Sequence, residues 1–122
     1  MLQRQKIGDK EKSKAEEWFV TLRDQICAAF EALESNQKTG VFSELPAGKF
    51  QKKETSRKSS TNEDAGGGVM SIMREGRLFE KVGVNISTVF GQLGKQAQDS
   101  ISARRNVPGL DKDPRFWASG IS

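Results

Sequence analysis

The chain has 122 residues, enough for one small domain, and its 20 basic and 16 acidic side chains give a net charge of +4. It contains no histidine and one cysteine, Cys27, which excludes an internal disulfide, a Cys–His catalytic pair and most zinc or iron sites. No apolar run is long enough to span a membrane, and the N-terminal residues are too charged for a signal peptide. We therefore expect a cytoplasmic protein in which Cys27 is a small core residue.

The first predicted element is a long amphipathic helix. Ser13 and Glu16 have the spacing of a capping box, in which two side chains satisfy free N–H groups at a helix start. The pattern predicts a helix from Ser13 to about Glu34, preceded by a charged tail at residues 1–12. Apolar residues recur behind the cap at helical spacing and are expected to face the core: Trp18, Leu22, Ile26, Phe30 and Leu33.

A basic segment at residues 49–64 follows, in which Phe50 is the only large apolar side chain. Its composition predicts a flexible loop. The positive charge also suggests a small module that binds nucleic acid or an acidic partner. That alternative is weakened because no aromatic residues alternate with the basic ones as stacking platforms, and because Glu54, Glu63 and Asp64 dilute the charge.

Three glycines, Gly66–Gly68, lead into two predicted strands. A phosphate-binding loop would need different glycine spacing and a following helix, whereas the strand-like residues 69–73 follow here. A flexible hinge remains one interpretation. The other is close backbone approach, either to a neighbouring strand or to a flat ligand. Residues 74–76 then predict a tight turn in which Gly76 supplies a positive φ.

The second of these strands has two unlike faces, because its residues alternate from Leu78 onward. One face is mainly apolar, formed by Leu78, Val82, Val84, Ile86 and Phe90, with Glu80 and Thr88 between them. The other face carries Lys81, Gly83, Asn85 and Ser87, beside Phe79 and Val89. Such a strand packs through its apolar face, and its polar face is either solvated or lines a ligand site.

The last part of the chain is polar and weakly helical from residue 91 to residue 105, followed by turns at Pro108-Gly109 and Asp113-Pro114. An apolar run then begins at Phe116 and continues to the last residues. Since a domain seldom ends inside a central strand, we expect this sequence to be truncated.

Three blocks in this order resemble the N-terminal part of oxygen-dependent coproporphyrinogen III oxidases. They are the glycine run, the FEKVGVNIS block at residues 79–87 and the FWASGIS block at residues 116–122. The opening helix, with its aromatic pair Trp18-Phe19 before LRDQIC, is similar to the first helix of that family. The resemblance covers roughly residues 15–122, with a weak patch at residues 36–64, and it favours the close-approach interpretation of the glycines.

The resemblance implies an α+β fold, a large antiparallel sheet flanked by helices, of which this chain holds the first helix and the first strands within a single domain at residues 13–122. It implies oxidative decarboxylation of two propionates of coproporphyrinogen III to vinyl groups, giving protoporphyrinogen IX for haem biosynthesis. Molecular oxygen is the co-substrate, and no flavin, haem or nicotinamide is required; metal use in the family stays open. The implied assembly is a homodimer, without nucleic acid or a membrane span.

Carried over residue by residue, the resemblance makes Ser122 a substrate contact and gives Asn85, Ser87 and Lys81 places in the same pocket. It places the family's histidine and Asn-x-Arg motif beyond Ser122, so we expect no catalytic residue and no metal ligand in this chain, and no activity from the chain alone. Two features depart from the family: a Ser-Arg pair is missing after the glycines, and a tryptophan is missing upstream of them. A non-catalytic fragment that pairs through a sheet edge is a further hypothesis.

Overall fold

The computed structural model describes residues 8–122, so most of the predicted charged tail lies outside the described residues. Two helices and four strands form an α+β fold, which confirms the predicted class. In chain order the elements are α1 (Asp9–Asn36), β1 (Gln51–Lys58), β2 (Asp64–Arg74), β3 (Lys81–Gln92), α2 (Lys95–Arg104) and β4 (Arg115–Ile121).

The four strands form one antiparallel sheet in the order β1-β2-β3-β4. Helix α1 lies across β3 and β4 on one side of the sheet, which we call the helix face. Thr88 identifies the residues on that face, because its hydroxyl donates a hydrogen bond of 3.2 Å to Glu16 of α1. Since side chains alternate along a strand, the even-numbered residues of β3 point to the helix face. The odd-numbered residues point to the other side, which we call the open face.

Helix α1 begins earlier than predicted. Its first residue is Asp9 and its N-cap is Gly8, which makes no side-chain capping bond, so the capping box predicted at Ser13 and Glu16 is wrong. Ser13 lies inside the helix, where the backbone N–H groups are already hydrogen-bonded to carbonyl oxygens of the preceding turn. No free N–H group is left there for a capping side chain. Asp9 and Glu11 carry negative charge into the first turn, which favours a helix start there because the free N–H groups are partly positive.

The buried stripe of α1 is rotated from the predicted one. Trp18 and Leu33 are 53% and 52% exposed, whereas Arg23, Cys27 and Glu34 are buried. Phe30 is partly buried, and the centre of its ring lies 5.0 Å from that of Phe79 and 6.3 Å from that of Phe50. Together with the three buried residues it forms a stripe with spacings of three or four. Cys27 is the small core residue that we expected, and burial raises the pKa of its thiol.

The loop predicted at residues 49–64 is largely a strand. Gln51–Lys58 form β1, whose side chains are all exposed, and the strand pairs along β2. The segment was predicted as a loop because it has almost no apolar residues. An edge strand can form without an apolar face when its backbone is hydrogen-bonded to the neighbouring strand. Only residues 59–63 form a turn, in which the backbone N–H of Ser59 donates to the carbonyl oxygen of Glu63 over 2.9 Å.

The connection between β2 and β3 also departs from the expected alternation. The positive φ of 53° belongs to Glu75 and not to Gly76. Phe79 packs against Phe30 on the helix face, while Leu78 is 49% exposed. The prediction had placed Leu78 on the packed face and Phe79 on the other face, and the structure shows the opposite. Both residues precede β3 and belong to a turn whose backbone is hydrogen-bonded to Glu34, so the strand alternation does not apply to them.

Glu34 is a buried carboxylate at the centre of this region. Its side chain is 0% exposed and accepts hydrogen bonds from the backbone N–H groups of four residues on two segments. The donors are Gly48 at 2.8 Å, Arg77 at 2.6 Å, Leu78 at 2.7 Å and Phe79 at 2.9 Å. Burial alone would raise the pKa of this carboxyl, but the four N–H donors favour its charged form and lower the pKa from 4.5 to about 2. Glu34 therefore joins the end of α1 to the start of the sheet.

Candidate functional site

Two motif residues from separate parts of the chain meet on the open face. The backbone N–H of Asn85 donates to the carbonyl oxygen of Ser122 over 2.7 Å, and the N–H of Ser122 donates to Asn85 over 2.8 Å. Residues that exchange both backbone bonds are directly opposite in an antiparallel pair, so their side chains are neighbours on one face. The predicted site residues Asn85 and Ser122 are thus adjacent.

Ser87 lies one step further along the same face, between two glycines. Gly68 of β2 is opposite Ser87 on one side, and Gly120 of β4 is opposite it on the other. Among residues 8–122, a Cβ atom at Gly120 would meet no atom within 4 Å, so packing in this part of the chain does not require glycine there. The row Gly68–Ser87–Gly120 is a strip across three strands with the Ser87 hydroxymethyl as its only side chain.

The glycine run is explained by close backbone approach. A Cβ atom at Gly66 would lie 2.1 Å from the carbonyl oxygen of Thr88, and one at Gly67 would lie 2.2 Å from that of Thr55. At Gly68 the distance to the carbonyl oxygen of Ile86 would be 2.0 Å. Real Cβ atoms do not approach backbone oxygens this closely. The neighbouring strands therefore require these glycines, which favours close approach to a strand over a flexible hinge.

Lys81 is on the open face but apart from the other three site residues. It is the first residue of β3 and pairs with Arg74. It lies four positions before Asn85, which corresponds to about 13 Å along an extended strand. The structure thus brings together Asn85, Ser87 and Ser122, and it places Lys81 apart from them at the first residue of β3.

The chemistry of this open-face site is hydrogen bonding over a partly apolar floor. Asn85 has its amide oxygen buried and without a hydrogen-bond partner among residues 8–122. The hydroxyl groups of Ser87 and Ser122 belong to exposed residues, and Met70, opposite Asn85 on β2, is 37% exposed. Such a surface suits a flat ligand that has apolar faces and polar groups at its edge.

A concavity of about 190 Å³ lies between α1 and the helix face. Three of its polar side chains, those of Glu16, Thr88 and Ser119, are already hydrogen-bonded to one another. Thr88 donates to Glu16 and shares a 2.8 Å hydrogen bond with Ser119. The polar groups free for a ligand are those of the open face, which we take as the candidate site.

Gly120 and the row that it completes were not among the predicted site residues. The sequence shows Gly120 next to Ser122, but the signal that matters is its position beside Ser87, which is set by strand pairing. Within the described part of the chain, no group of three His, Cys, Asp or Glu side chains could hold a metal ion. In residues 8–122, neither helix combines the length and apolarity needed to cross a bilayer.

Comparison with known proteins links this geometry to a family. The profile of coproporphyrinogen III oxidase matches residues 14–122. The chain is 42% identical over 116 residues to a protein of Rickettsia bellii strain RML369-C named oxygen-dependent coproporphyrinogen-III oxidase, covering 95% of this chain and 37% of that protein. Proteins of the same name from Rickettsia peacockii strain Rustic and from Rickettsia felis are 42% and 41% identical, over 86% and 88% of this chain and 33% and 34% of their own lengths.

The chain thus spans about a third of the length of these curated relatives. No solved structure matches it. The profile covers all four strands, both helices from residue 14 onward and every residue of the open-face site. The chain belongs to the coproporphyrinogen III oxidase family.

Proposed function

We propose that this chain supplies the N-terminal, substrate-binding part of an oxygen-dependent coproporphyrinogen III oxidase. The enzyme would convert two propionates of coproporphyrinogen III to vinyl groups, with molecular oxygen as co-substrate, and deliver protoporphyrinogen IX for haem biosynthesis. The observation that carries the proposal is the pairing of Asn85 with Ser122, which joins two motif blocks on one exposed face. The family match supports the reaction class.

The open-face site suits this substrate in shape and in chemistry. A macrocycle can approach the backbone along the row Gly68–Ser87–Gly120, because only one short side chain lies in the row. The Ser122 hydroxyl then donates an O–H, and the Asn85 amide an N–H, to propionate carboxylates at the rim. Met70 gives an apolar contact beneath the ring.

The chain contributes binding and not proton transfer. It has no histidine, and the polar groups of the site are an amide and two hydroxyls, which do not titrate near neutral pH. The acid–base groups would come from the remainder of the enzyme, in a cytoplasmic homodimer, and the chain alone would not turn over substrate.

A chimera tests the proposal. Residues 14–122 of this chain replace the matching segment of the Rickettsia bellii protein, and protoporphyrinogen formation from coproporphyrinogen III is followed in air and under nitrogen. We expect oxygen-dependent turnover within about tenfold of the unaltered relative. A segment that carries an intact binding site should cause the enzyme to lose little transition-state stabilisation. A folded chimera that forms no product, beside an active relative, would show that this segment does not serve the reaction.

In that chimera, Ser122→Ala should reduce kcat/KM by roughly ten- to a hundredfold. The reason is the loss of one hydrogen bond to a charged carboxylate, worth about 1.5 to 3 kcal/mol. The melting temperature should stay unchanged, because the Ser122 side chain is exposed and its strand pairing uses only backbone atoms.

Ser119→Ala is the matched control on the same strand. Ser119 points to the helix face, where its hydroxyl shares a hydrogen bond with Thr88. Its loss should lower the melting temperature and leave kcat/KM within about twofold, since a hydrogen bond contributes about 1 kcal/mol to stability. Equal kinetics for Ser122→Ala and the unsubstituted chimera would remove Ser122 from the binding site.

A further inference from the structure

A basic residue of β1 lies in register with the open-face site. Lys53 is opposite Met70 of β2, and Met70 is opposite Asn85 of β3, which in turn pairs with Ser122. Cross-strand partners share a face, so the row Lys53–Met70–Asn85–Ser122 runs across the open face from one edge strand to the other. With strands about 4.8 Å apart, Lys53 lies about 10 Å from Asn85 and about 14 Å from Ser122, measured between backbones.

Lys53 differs from its neighbour Lys52 in both direction and partner. Lys52 is opposite Ser71, which is fully buried on the helix face, and its ammonium lies 3.7 Å from a carboxylate oxygen of Asp24 on α1. Lys53 is exposed on the opposite face, and within residues 8–122 no acidic side chain is within ion-pair distance of its ammonium. The strand thus separates one paired lysine from one that is free to bind an anion.

We propose that Lys53 binds a carboxylate of the tetrapyrrole at the β1 edge of the open face. This inference rests on the proposed function, since it assigns a contact to the same ligand in the same site. A macrocycle over Met70 and Asn85, held at one side by Ser122, extends toward β1, and its carboxylates lie around its rim. A cation there supplies a charge-assisted hydrogen bond, at the side opposite Ser122.

The experiment is a titration of the 122-residue chain with coproporphyrin III, the stable oxidised form that keeps all the carboxylates, followed by absorbance and fluorescence. Lys53→Met should weaken binding about tenfold, as expected for one charge-assisted hydrogen bond. Lys52→Met makes the same change of charge one residue away on the other face and should alter Kd by less than about twofold. Lys53→Arg should keep binding within about threefold, because it keeps the cation.

Both lysines belong to an exposed edge strand, so the variants should fold, and circular dichroism checks this. Equal weakening by Lys52→Met and Lys53→Met would indicate general charge attraction and overturn the assignment of Lys53. No effect of Lys53→Met, or no binding of coproporphyrin III by the unsubstituted chain, would overturn it too. The chimera separates this proposal from the proposed function. Oxygen-dependent turnover by the chimera would support the proposed function even if the titration overturned the role of Lys53.

Discussion

Replacing Glu34 with alanine should destabilise the fold by about 4 kcal/mol or more, because the change leaves one buried and three partly buried backbone N–H groups without their acceptor. The carboxylate accepts from Gly48 and from three consecutive residues of the β2–β3 connection. An unsatisfied buried donor costs about 1 to 3 kcal/mol, and water entering the space left by the side chain recovers part of this. Since domains are stable by only about 5 to 15 kcal/mol, the variant should be largely unfolded in moderate urea.

The measurement is a urea titration followed by circular dichroism, with Glu17→Ala as control. Glu17 is an exposed residue of the same helix, so the same substitution there should change the free energy of unfolding by no more than about 0.5 kcal/mol. Similar midpoints for the two variants would mean that Glu34 does not hold the β2–β3 connection in solution.

The same carboxylate predicts how stability depends on pH. Its pKa is about 2 in the folded chain against 4.5 without the surrounding structure. The unfolded chain therefore takes up this proton first as the pH falls. The stabilisation is fully present above pH 4.5 and is lost as the pH falls toward 2, by about 3 kcal/mol in total. Glu34→Gln should lack this part of the acid dependence, and a Glu34→Gln curve parallel to that of the unsubstituted chain would contradict the assignment.

Gly68→Val should strongly destabilise the sheet, by about 4 kcal/mol or more. A Cβ atom at Gly68 would lie 2.0 Å from the carbonyl oxygen of Ile86 and 2.8 Å from the Cα of Ser87. These are backbone atoms of the paired strand, so they cannot rotate away as a side chain would. The pairing of β2 with β3 must open, and the thermal melt should become broad or shift to much lower temperature.

Gly120→Val is the matched control, since it makes the same substitution at the other end of the same cross-strand row. A Cβ atom at Gly120 meets nothing within 4 Å, and valine favours strands, so the melting temperature should be kept or raised. Because the side chain enters the strip beside Ser87, coproporphyrin III binding should weaken about tenfold or more. A stable Gly68→Val variant, or a destabilised Gly120→Val variant, would contradict this account of the two glycines.

Several elements could be predicted from the sequence because their signals are local. Helical spacing between Trp18 and Leu33 predicted α1, and alternation predicted β3, because each periodicity follows from the geometry of a single element. The order of the glycine run and the two motif blocks indicated the family, which the profile match then confirmed.

The start of α1 and the existence of β1 could not be predicted in the same way. Gly8 caps the helix without a side-chain bond, so no capping residue marks the position. The polar strand Gln51–Lys58 forms because the backbone of β2 pairs with it, and a partner distant in sequence leaves no trace in local composition. Glu34 shows the same limit, since a glutamate near a helix end is usually exposed and only its four backbone donors explain its burial.

By itself, the sequence determined which residues alternate on β3 and which motif blocks are present, because both properties lie within short continuous segments. Only the tertiary structure decided that Ser122 is beside Asn85, that Gly120 is beside Ser87 and that Lys53 shares their face. The physical reason is strand register. A shift of one residue in any pairing would turn every side chain of that strand to the opposite face, and register is set by contacts between segments far apart in the chain.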